Sequence, residues 1–470
     1  MIVRKLTRGV ALFVVAVLLS WTALLYVKLR APRFGMMFLA PKLFAGTFSP
    51  ETALIGVIGT IVGGVTGGVS VVFGYAWLAL LAGIPLLRTW RTPEVFTDAF
   101  GAIEPPAERR RYWIAKQCGA RLGRVPEPRV HRDIAFWTTP EVGRPLLCDI
   151  WQPPLEVPSS GVGLVYLHGS AWTLLDKDCG TRTLFSHLVA QGHVVMDVAY
   201  RLYPETDIPG MVADAKRAVV WLKANATTYG IEVEHIVLGG ASAGGHIAIL
   251  AAYTRAEPRL TPADVLGCDT SVSAVLGWYS PVDLSACYAH YENAILVEMK
   301  PDKPDWNIQP APWMHRIFGA DADRLALQKG PAGGRLDWII GGSPRERPDE
   351  YSLLSPITHV SSGCPPTLLI QGRDDFIVPP RQALEMGHAL RVAGVHAAVL
   401  LLPYADHAFD LFGTGWSPMA RQALWHTERL LEWVSRKPGA PESGHTPQVR
   451  ADALDLTPRP RQNTAQPVLP

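Results

Sequence analysis

One serine of the chain lies in a pattern that could make it a nucleophile. Ser242 is the middle residue of Gly240-Ala241-Ser242-Ala243-Gly244, a Gly-x-Ser-x-Gly sequence. Glycines two residues before and two after leave room for a tight, strained turn between a strand and a helix. A serine hydroxyl is a poor nucleophile unless a histidine takes its proton and an acid orients that histidine. The pattern therefore requires a base and an acid elsewhere in the chain.

Candidates for both partners follow apolar runs near the end of the chain. His407 comes just after the strand-like run at 398–402, in a loop that starts at Pro403. Its rivals do not follow a strand in this way; they are His359, His388 and His426. Asp374 and Asp375 follow the strand-like run at 367–370, and Asp283 is a more remote acid after an earlier strand.

The body of the chain alternates short apolar runs with longer amphipathic stretches. This alternation predicts an α/β fold, with a mostly parallel sheet whose strands are buried on both faces by helices. The predicted strands lie at 146–151, 162–167, 194–199, 235–239, 274–279, 367–370 and 398–402. The predicted helices lie at 181–191, 210–228, 243–254, 381–392 and 419–435. The chain order serine, acid, histidine is that of the α/β-hydrolase fold.

Three motifs resemble one family of that superfamily. They are His168-Gly169-Ser170-Ala171-Trp172, Asp197-Val198-Ala199-Tyr200-Arg201-Leu202 and Gly240-Ala241-Ser242-Ala243-Gly244-Gly245-His246. Together they resemble the hormone-sensitive-lipase-like carboxylesterases and the related BD-FAE-type esterases and kynurenine formamidases. Hormone-sensitive-lipase relatives often have Asp before the nucleophile, so Ala241 favours the BD-FAE-like branch. The resemblance covers residues 146–433.

The resemblance implies roles for individual residues. The family pattern Gly-x-x-Asp-x-x-Val-Pro falls on Asp375 as the orienting acid, which leaves Asp374 as a loop or capping carboxylate, and the loop of His407 resembles the family's histidine loop. An oxyanion hole would use the backbone N–H groups of Ser170, Ala171 and Ala243. Supporting roles fall to His168, which would brace the loop, and to Gly169, Gly240 and Gly244.

Two departures from the family pattern and two aromatic residues bear on the part of the site that would contact the substrate. Family members often read His-Gly-Gly-Gly, and Ser170 and Ala171 replace the later glycines here. Their small side chains are compatible with the oxyanion role but are expected to narrow the space beside the substrate carbonyl. Trp172 and Tyr203 either line the substrate pocket or pack beneath the oxyanion loop, and the sequence leaves both alternatives open.

Two uncharged stretches near the start predict a membrane segment over residues 1–90. The first covers 9–27, about the number of residues that a single membrane-spanning helix needs, and a cleaved signal peptide is the alternative. The second covers 52–87 and suits two helices that turn at the Gly-rich stretch 63–68, although a single tilted helix is the alternative. Because the candidate triad lies beyond Arg91, the sequence predicts that this segment is an anchor and that the body is active without it.

The distribution of basic residues favours a cytoplasmic catalytic domain. Arg88, Arg91 and three arginines at 109–111 follow the last apolar stretch, and basic loops stay on the cytoplasmic side. The remaining predicted parts are a linker and lid element at 91–145, the catalytic domain at 146–436 with an insertion at 286–354, and a disordered Pro-rich tail at 437–470.

Composition excludes several classes of function. The 470 residues carry a formal net charge of +2, and they contain no basic and aromatic array, zinc spacing or phosphate loop of the kind that nucleic-acid proteins use. The six scattered cysteines are expected to be reduced. We expect no metal and no cofactor, because the acids and histidines found serve the triad.

The sequence therefore predicts a membrane-anchored serine hydrolase that cleaves carboxylic esters, with acyl lipids or other apolar esters as candidate substrates. An acyltransferase using the same triad is an alternative, as is an amidase or formamidase. A non-catalytic ligand-binding member of the fold is disfavoured, because all three triad residues are present.

Overall fold

The computed structural model describes residues 2–28, 32–66, 68–90, 95–103, 125–139, 143–294, 336–411 and 413–436. The predicted tail at 437–470 lies outside these residues. So do most of the insertion predicted at 286–354 and a large part of the linker predicted at 91–145.

A single sheet of eight strands forms the centre of the described body. The strands are β1 (Arg129–Thr138), β2 (Pro145–Gln152), β3 (Gly161–Leu167), β4 (Val194–Ala199), β5 (Ile231–Ala241), β6 (Ala274–Trp278), β7 (Thr367–Gly372) and β8 (Ala397–Leu402). Their order is β1-β2-β4-β3-β5-β6-β7-β8. Only the pairs β1–β2 and β2–β4 are antiparallel, and the other neighbours are parallel.

Some of the described helices precede the first strand in the chain, and others, between and after the strands, cover both faces of the sheet. They are α1 (Ile2–Ala23), α2 (Pro32–Thr47), α3 (Ser49–Thr66), α4 (Val69–Trp90), α5 (Val95–Phe100), α6 (Arg182–Val189), α7 (Ile208–Ala224), α8 (Ala226–Tyr229), α9 (Ala243–Tyr253), α10 (Leu284–Ala294), α11 (Leu336–Ile340), α12 (Pro348–Leu353), α13 (Pro380–Val392) and α14 (Pro418–Ser435).

The core has two layers, one on each side of the sheet. Successive residues of a strand point to opposite faces, and all seven residues of β3 are buried. Val165 and Leu167 belong to the layer that contains α7 and α9, whereas Leu164 and Tyr166 belong to the layer that contains α6 and α14. The predicted fold class, an α/β-hydrolase fold, is therefore confirmed.

The seven strands predicted from apolar runs are all present, and each predicted helix of the body has a counterpart. β1 is additional, in the range that the sequence assigned to a linker. Its residues are mostly half-buried or exposed, as expected for an edge strand that has only one neighbour. Such a strand carries no continuous apolar run and gives a weak sequence signal.

The N-terminal segment consists of apolar helices that pack against the body. α1 and α4 are each long and apolar enough to cross a membrane, and the bent pair of α2 and α3 could supply one more span. α3 and α4 lie on either side of the Gly-rich stretch, and a Cβ at Gly56 would come within 2.9 Å of the Ala79 side chain. That glycine therefore allows the two helices to approach closely.

These helices are not a detached anchor. Leu25 and Leu43 are buried, and Gly46 of α2 lies against Met419 at the start of α14. Phe96 and Phe100 of α5 are also buried in the layer that contains α14. The N-terminal helices and the hydrolase body thus share a packed interface, which differs from the expectation of a body independent of its membrane segment.

Candidate active site

The four chain segments that carry the predicted site residues meet at one edge of the sheet. His168 follows β3, Ser242 follows β5, Asp375 follows β7 and His407 follows β8. Because these four strands are parallel, the loops that follow them all emerge at the carboxyl edge. Ligands bind at this edge in open α/β sheets.

Ser242 occupies the strained turn that its motif predicts. Its φ of 51° and ψ of −124° lie in a region that L-residues rarely adopt. A Cβ at Gly240 or Gly244 would collide with the carbonyl oxygen of Leu167. Both glycines are therefore required for the serine to pass this close to β3.

Ser242, His407 and Asp375 form a continuous chain of hydrogen bonds. Ser242 Oγ lies 2.9 Å from His407 Nε2, and His407 Nδ1 lies 2.9 Å from Asp375 Oδ2. Since a carboxylate only accepts, Nδ1 carries the proton and Nε2 is free to accept the serine proton. The arrangement can activate the serine as a nucleophile.

Asp375 is buried and fully engaged as an acceptor. Its Oδ1 accepts from the backbone N–H groups of Ile377 at 2.9 Å and Val378 at 2.8 Å. Gln371 Nε2 donates to Oδ2 at 2.7 Å, beside the histidine. These donors fix the carboxylate in the orientation that holds the His407 ring.

The other candidate acids and bases lie elsewhere. Asp374 is close to Lys42, with Nζ 3.8 Å from its Oδ2, and Asp283 accepts from the N–H of Ala286 at the start of α10. His359 donates through Nε2 to the Leu353 carbonyl at 2.7 Å. His426 is buried, and burial together with Arg429 lowers its pKa to about 3.

The environment of His407 favours its protonated form. Burial by itself lowers its pKa, but the carboxylates of Asp375, Asp406 and Asp410 outweigh that effect, so the pKa is raised above its ordinary value. The Tyr279 ring also packs against the imidazole in a T-shaped arrangement, with centroids 4.7 Å apart. An imidazolium formed when the serine proton is transferred is stabilised at this position.

The loop after β3 approaches Ser242, the candidate nucleophile, with a strained backbone. A Cβ at Gly169 would lie 3.5 Å from the Ser242 Cβ, and Ala171 and Trp172 both have positive φ values, 46° and 62°. Ala243 is the first residue of α9, so its N–H has no carbonyl partner within the helix. The backbone of this loop and the N–H of Ala243 therefore lie on two sides of the serine, an arrangement that suits an oxyanion hole.

Side chains behind this loop hold its shape. Ser170 Oγ accepts from the N–H of Trp172 at 3.0 Å and lies 2.7 Å from the hydroxyl of Tyr200, which itself donates to the His168 carbonyl at 2.8 Å. The ring of His168 stacks on Tyr200, and burial lowers the pKa of His168 to about 4. Ser170 is thus turned inward and does not narrow the space beside a substrate, contrary to the expectation from its sequence.

Trp172 is buried in the core. Its Nε1–H donates to His246 Nδ1 at 3.1 Å, and His246 Nε2 donates to the Leu354 carbonyl at 2.8 Å. Burial lowers the pKa of His246 to about 4. Tyr203, which is half-buried, bonds through its N–H to the Trp172 carbonyl. For Trp172 this placement favours packing, the second of the two alternatives that the sequence left open.

Sequence reasoning missed three residues that touch the triad or its loops. Tyr279 follows β6 and donates through its hydroxyl to Asp410 at 2.6 Å. Asp406 and Lys42 form a buried ion pair at 2.9 Å next to His407. Asp406 could be suspected from the sequence, because it is the chain neighbour of the candidate base His407, but Lys42 could not, because it lies in an apolar helix far away in the chain. No group of three His, Cys, Asp or Glu side chains suited to a metal ion occurs in the described ranges.

Comparison with protein families supports the same fold. Residues 148–307 match the BD-FAE family model, and residues 334–439 match that of the prolyl oligopeptidase family. Both are families of one superfamily. The chain belongs to the α/β-hydrolase superfamily. The BD-FAE match also agrees with the branch that Ala241 favours.

Three of the proteins similar to this α/β-hydrolase come from Mycobacterium tuberculosis. The probable carboxylic ester hydrolase LipM is 30% identical over 64% of this chain and 63% of its own length. The esterase LipQ is 29% identical over 75% of each chain. The esterase LipC is 28% identical over 68% of this chain and 70% of its own length. The present chain thus matches a little under two thirds of LipM.

Among solved structures, a truncated carbohydrate esterase from gut microbiota is similar at 22% identity. It matches with a TM-score of 0.48 and covers 67% of this chain and 100% of that chain.

Proposed function

We propose that this α/β-hydrolase is a membrane-anchored serine hydrolase that cleaves carboxylic esters through an acyl-enzyme. The observation that carries the proposal is the unbroken hydrogen-bonded chain from Ser242 Oγ through His407 to Asp375, with 2.9 Å at each step. Relatives that are named as carboxylic ester hydrolases or esterases support the same reaction.

The reaction follows from the positions of these groups. His407 Nε2 takes the proton as Ser242 Oγ attacks the ester carbonyl, and Asp375 stabilises the imidazolium that forms. The oxyanion accepts hydrogen bonds from the backbone N–H groups of Ala243 and of the loop carrying Ser170 and Ala171. His407 then protonates the leaving alcohol. A water molecule, deprotonated by the same nitrogen, then attacks the acyl-enzyme, and His407 returns this proton to Ser242 Oγ as the carboxylic acid leaves.

Labelling with a fluorophosphonate tests this assignment. The wild-type protein should react covalently and lose esterase activity in proportion to labelling. Ser242→Ala should abolish both while the unfolding temperature changes little, because the substitution removes only the hydroxyl. The neighbouring Ser280→Ala, at a buried serine on the loop after β6, is a control that should keep labelling. Labelling of the Ser242→Ala protein would mean that the nucleophile is another residue.

We further propose that the N-terminal helices lie in the bilayer and that the substrate is an ester with a membrane-resident acyl chain. Large apolar side chains of these helices face outward: Phe13 is 70% exposed, Ile61 65% and Phe73 62%. Exposure of such apolar surfaces to water costs free energy, whereas contact with lipid tails does not. The N-terminal segment also contacts the His407 loop, so a membrane around the helices would lie close to the active-site edge of the sheet.

A series of esters with graded acyl length tests the substrate class. Turnover of long-chain esters should rise when the protein is moved from dilute detergent into phospholipid vesicles that contain the ester. Turnover of an acetate or butyrate ester should not change. Equal behaviour of short and long chains would contradict a membrane-resident substrate without affecting the proposed esterase chemistry.

The basic residues near the helix ends favour a body on the cytoplasmic side, by the positive-inside rule. Val392, 75% exposed at the end of α13, offers a probe position. A Val392→Cys protein in intact cells should react with a membrane-impermeant maleimide only after permeabilisation. Reaction in intact cells, above the level of the unsubstituted protein, would mean that the body lies outside.

A further inference from the structure

We propose that Lys42 is a positioning residue for the triad and makes the N-terminal helices part of the catalytic apparatus. This inference rests on the proposed esterase function. Lys42 lies on α2, in the N-terminal segment, yet its side chain is only 2% exposed. Its ammonium group enters the gap between the loop that carries Asp375 and the loop that carries His407.

The partner of Lys42 is the carboxylate next to the proposed base. Lys42 Nζ donates to Asp406 Oδ2 at 2.9 Å and lies 3.8 Å from Asp374 Oδ2. Each of these acids is the immediate neighbour in sequence of a triad residue. Removal of either partner of such a deeply buried ion pair leaves the charge of the other partner uncompensated.

The other oxygen of Asp406 holds the two catalytic loops together. Its Oδ1 accepts from the backbone N–H of His407 at 3.0 Å and from that of Phe376 at 3.1 Å. Phe376 directly follows Asp375. One carboxylate therefore sets the spacing between the backbone of the base and the backbone of the acid, and Lys42 keeps that carboxylate charged.

The charged groups around Asp406 determine its pKa, and the charge of Asp406 in turn affects the pKa of His407. Burial raises the pKa of Asp406, as does the nearby Asp375, while Lys42 lowers it. Asp374 and His407 are the other titratable groups beside it, and His407 additionally faces Tyr279 and Asp410. Without Lys42 the carboxyl group takes up a proton at a higher pH. While it stays ionised, its uncompensated charge raises the pKa of His407.

Two further contacts join the N-terminal helices to the same loop. The ring of Tyr26, after α1, meets the ring of Tyr404 at 5.3 Å between centroids. The guanidinium of Arg88, near the end of α4, lies 5.8 Å from the centre of the Tyr404 ring. Tyr404 is three residues before His407, so three separate N-terminal elements hold the loop of the base.

A double-mutant cycle on the full-length protein in detergent micelles tests the proposal, with a short-chain p-nitrophenyl ester as substrate. Lys42→Met should lower kcat about 10- to 100-fold with little change in KM, and should move the acid limb of the pH profile to higher pH. Asp406→Asn alone removes the nearer counter-ion of the buried Lys42, which leaves it with Asp374 at 3.8 Å, and should also lower kcat. The amide oxygen that this substitution introduces can still accept both backbone N–H bonds when Lys42 is absent.

The double variant provides the decisive measurement of the cycle. Lys42→Met/Asp406→Asn removes both charges together and should be more active than either single variant, by about tenfold, with an acid limb close to that of the wild type. If the single variants lost activity only through poorer packing, a second substitution would lower the activity further. Recovery of activity in the double variant therefore indicates an electrostatic role. A double variant no better than the singles, or a Lys42→Met protein with wild-type kcat and acid limb, overturns the proposal.

Lys216 provides the matched control. It is another buried lysine, on α7, and donates to the Thr254 carbonyl and the Thr261 hydroxyl away from the triad. Lys216→Met should lower the unfolding temperature but leave kcat and the acid limb unchanged. If the wild-type protein neither hydrolyses esters nor reacts with a fluorophosphonate, the proposed function fails. If the wild type is active and only the cycle fails, the role of Lys42 alone is refuted.

Discussion

The ring of Tyr279 packs against the imidazole of His407 in a T-shaped arrangement, with centroids 4.7 Å apart, and its hydroxyl donates to Asp410. The aromatic ring closes one side of the base, while Asp375 occupies its Nδ1 side and Ser242 its Nε2 side. All three neighbours of the imidazole lie on loops that follow parallel strands. His407 is therefore held in a single orientation, unlike a freely rotating loop histidine.

The pH dependence of turnover should reflect this environment. His407 must be neutral to accept the serine proton, and its pKa is raised. Activity should therefore fall as the pH decreases through a value above the ordinary histidine pKa of about 6.5. Asp375→Asn removes the charge that holds the proton, so the acid limb should move to lower pH. A pH profile of kcat/KM for both proteins measures this, and a limb below the ordinary value in the wild type would contradict it.

The two adjacent aspartates should differ strongly in their effect on catalysis. In Asp375→Asn the backbone N–H groups of Ile377 and Val378 hold the amide oxygen, so the amide NH2 faces Nδ1 and favours the wrong imidazole tautomer. This should reduce kcat by roughly 10³- to 10⁴-fold. Asp374→Asn changes a carboxylate that is 3.8 Å from Lys42 and bonds to no triad side chain, so its effect should be less than about tenfold. Steady-state kinetics on the pair decide the assignment, because a reversed order would mean that Asp374 is the orienting acid.

Much of this arrangement could be predicted from the sequence, because it depends on local signals. Ser242 lies in a glycine-flanked turn, and Asp375 and His407 each follow an apolar run that is typical of a buried strand. The choice of Asp375 over Asp374 rests on the family resemblance. The brace formed by Ser170 and Tyr200 could not be predicted in this way. Its two residues come from separate motifs, and only the parallel pairing of β3 and β4 brings their loops together.

Lys42 shows a different limit of sequence reasoning. A lysine within an apolar helix looks like a residue at the membrane surface, with its charge in water. Its burial depends on a carboxylate 364 residues later in the chain. Hydropathy along the chain reports which segments avoid water, but it does not report which protein surface a segment packs against.

Trp172 should act through stability rather than through substrate binding. Trp172→Phe keeps most of the buried volume but removes the Nε1–H donor, which leaves His246 Nδ1 unpaired in the core. We expect a loss of about 1–3 kcal/mol in the free energy of unfolding, with KM for a short-chain ester nearly unchanged. Denaturant unfolding together with kinetics tests this. Unchanged stability with an altered KM would instead mean that the ring lines the pocket.

The full-length protein should stay in the membrane fraction through high-salt and carbonate washes. α1 and α4 are both long and apolar enough to span a bilayer, and their outward side chains would be exposed to water after release. Release by carbonate would contradict a spanning segment and would leave at most a peripheral attachment.

Removal of these helices should cost activity as well as membrane attachment. A truncated chain that begins near Arg91 lacks Lys42 and uncovers the apolar surface around Met419, so kcat on a short-chain ester should fall at least about tenfold. A chain that begins at Pro32 loses α1 but keeps the Lys42–Asp406 pair, and it should retain more of the activity. Measuring both against the full-length protein in the same detergent isolates the contribution of α2 to α4. If the chain that begins near Arg91 turns over the short ester at the wild-type rate, the helices serve only as an anchor, as the sequence alone suggested.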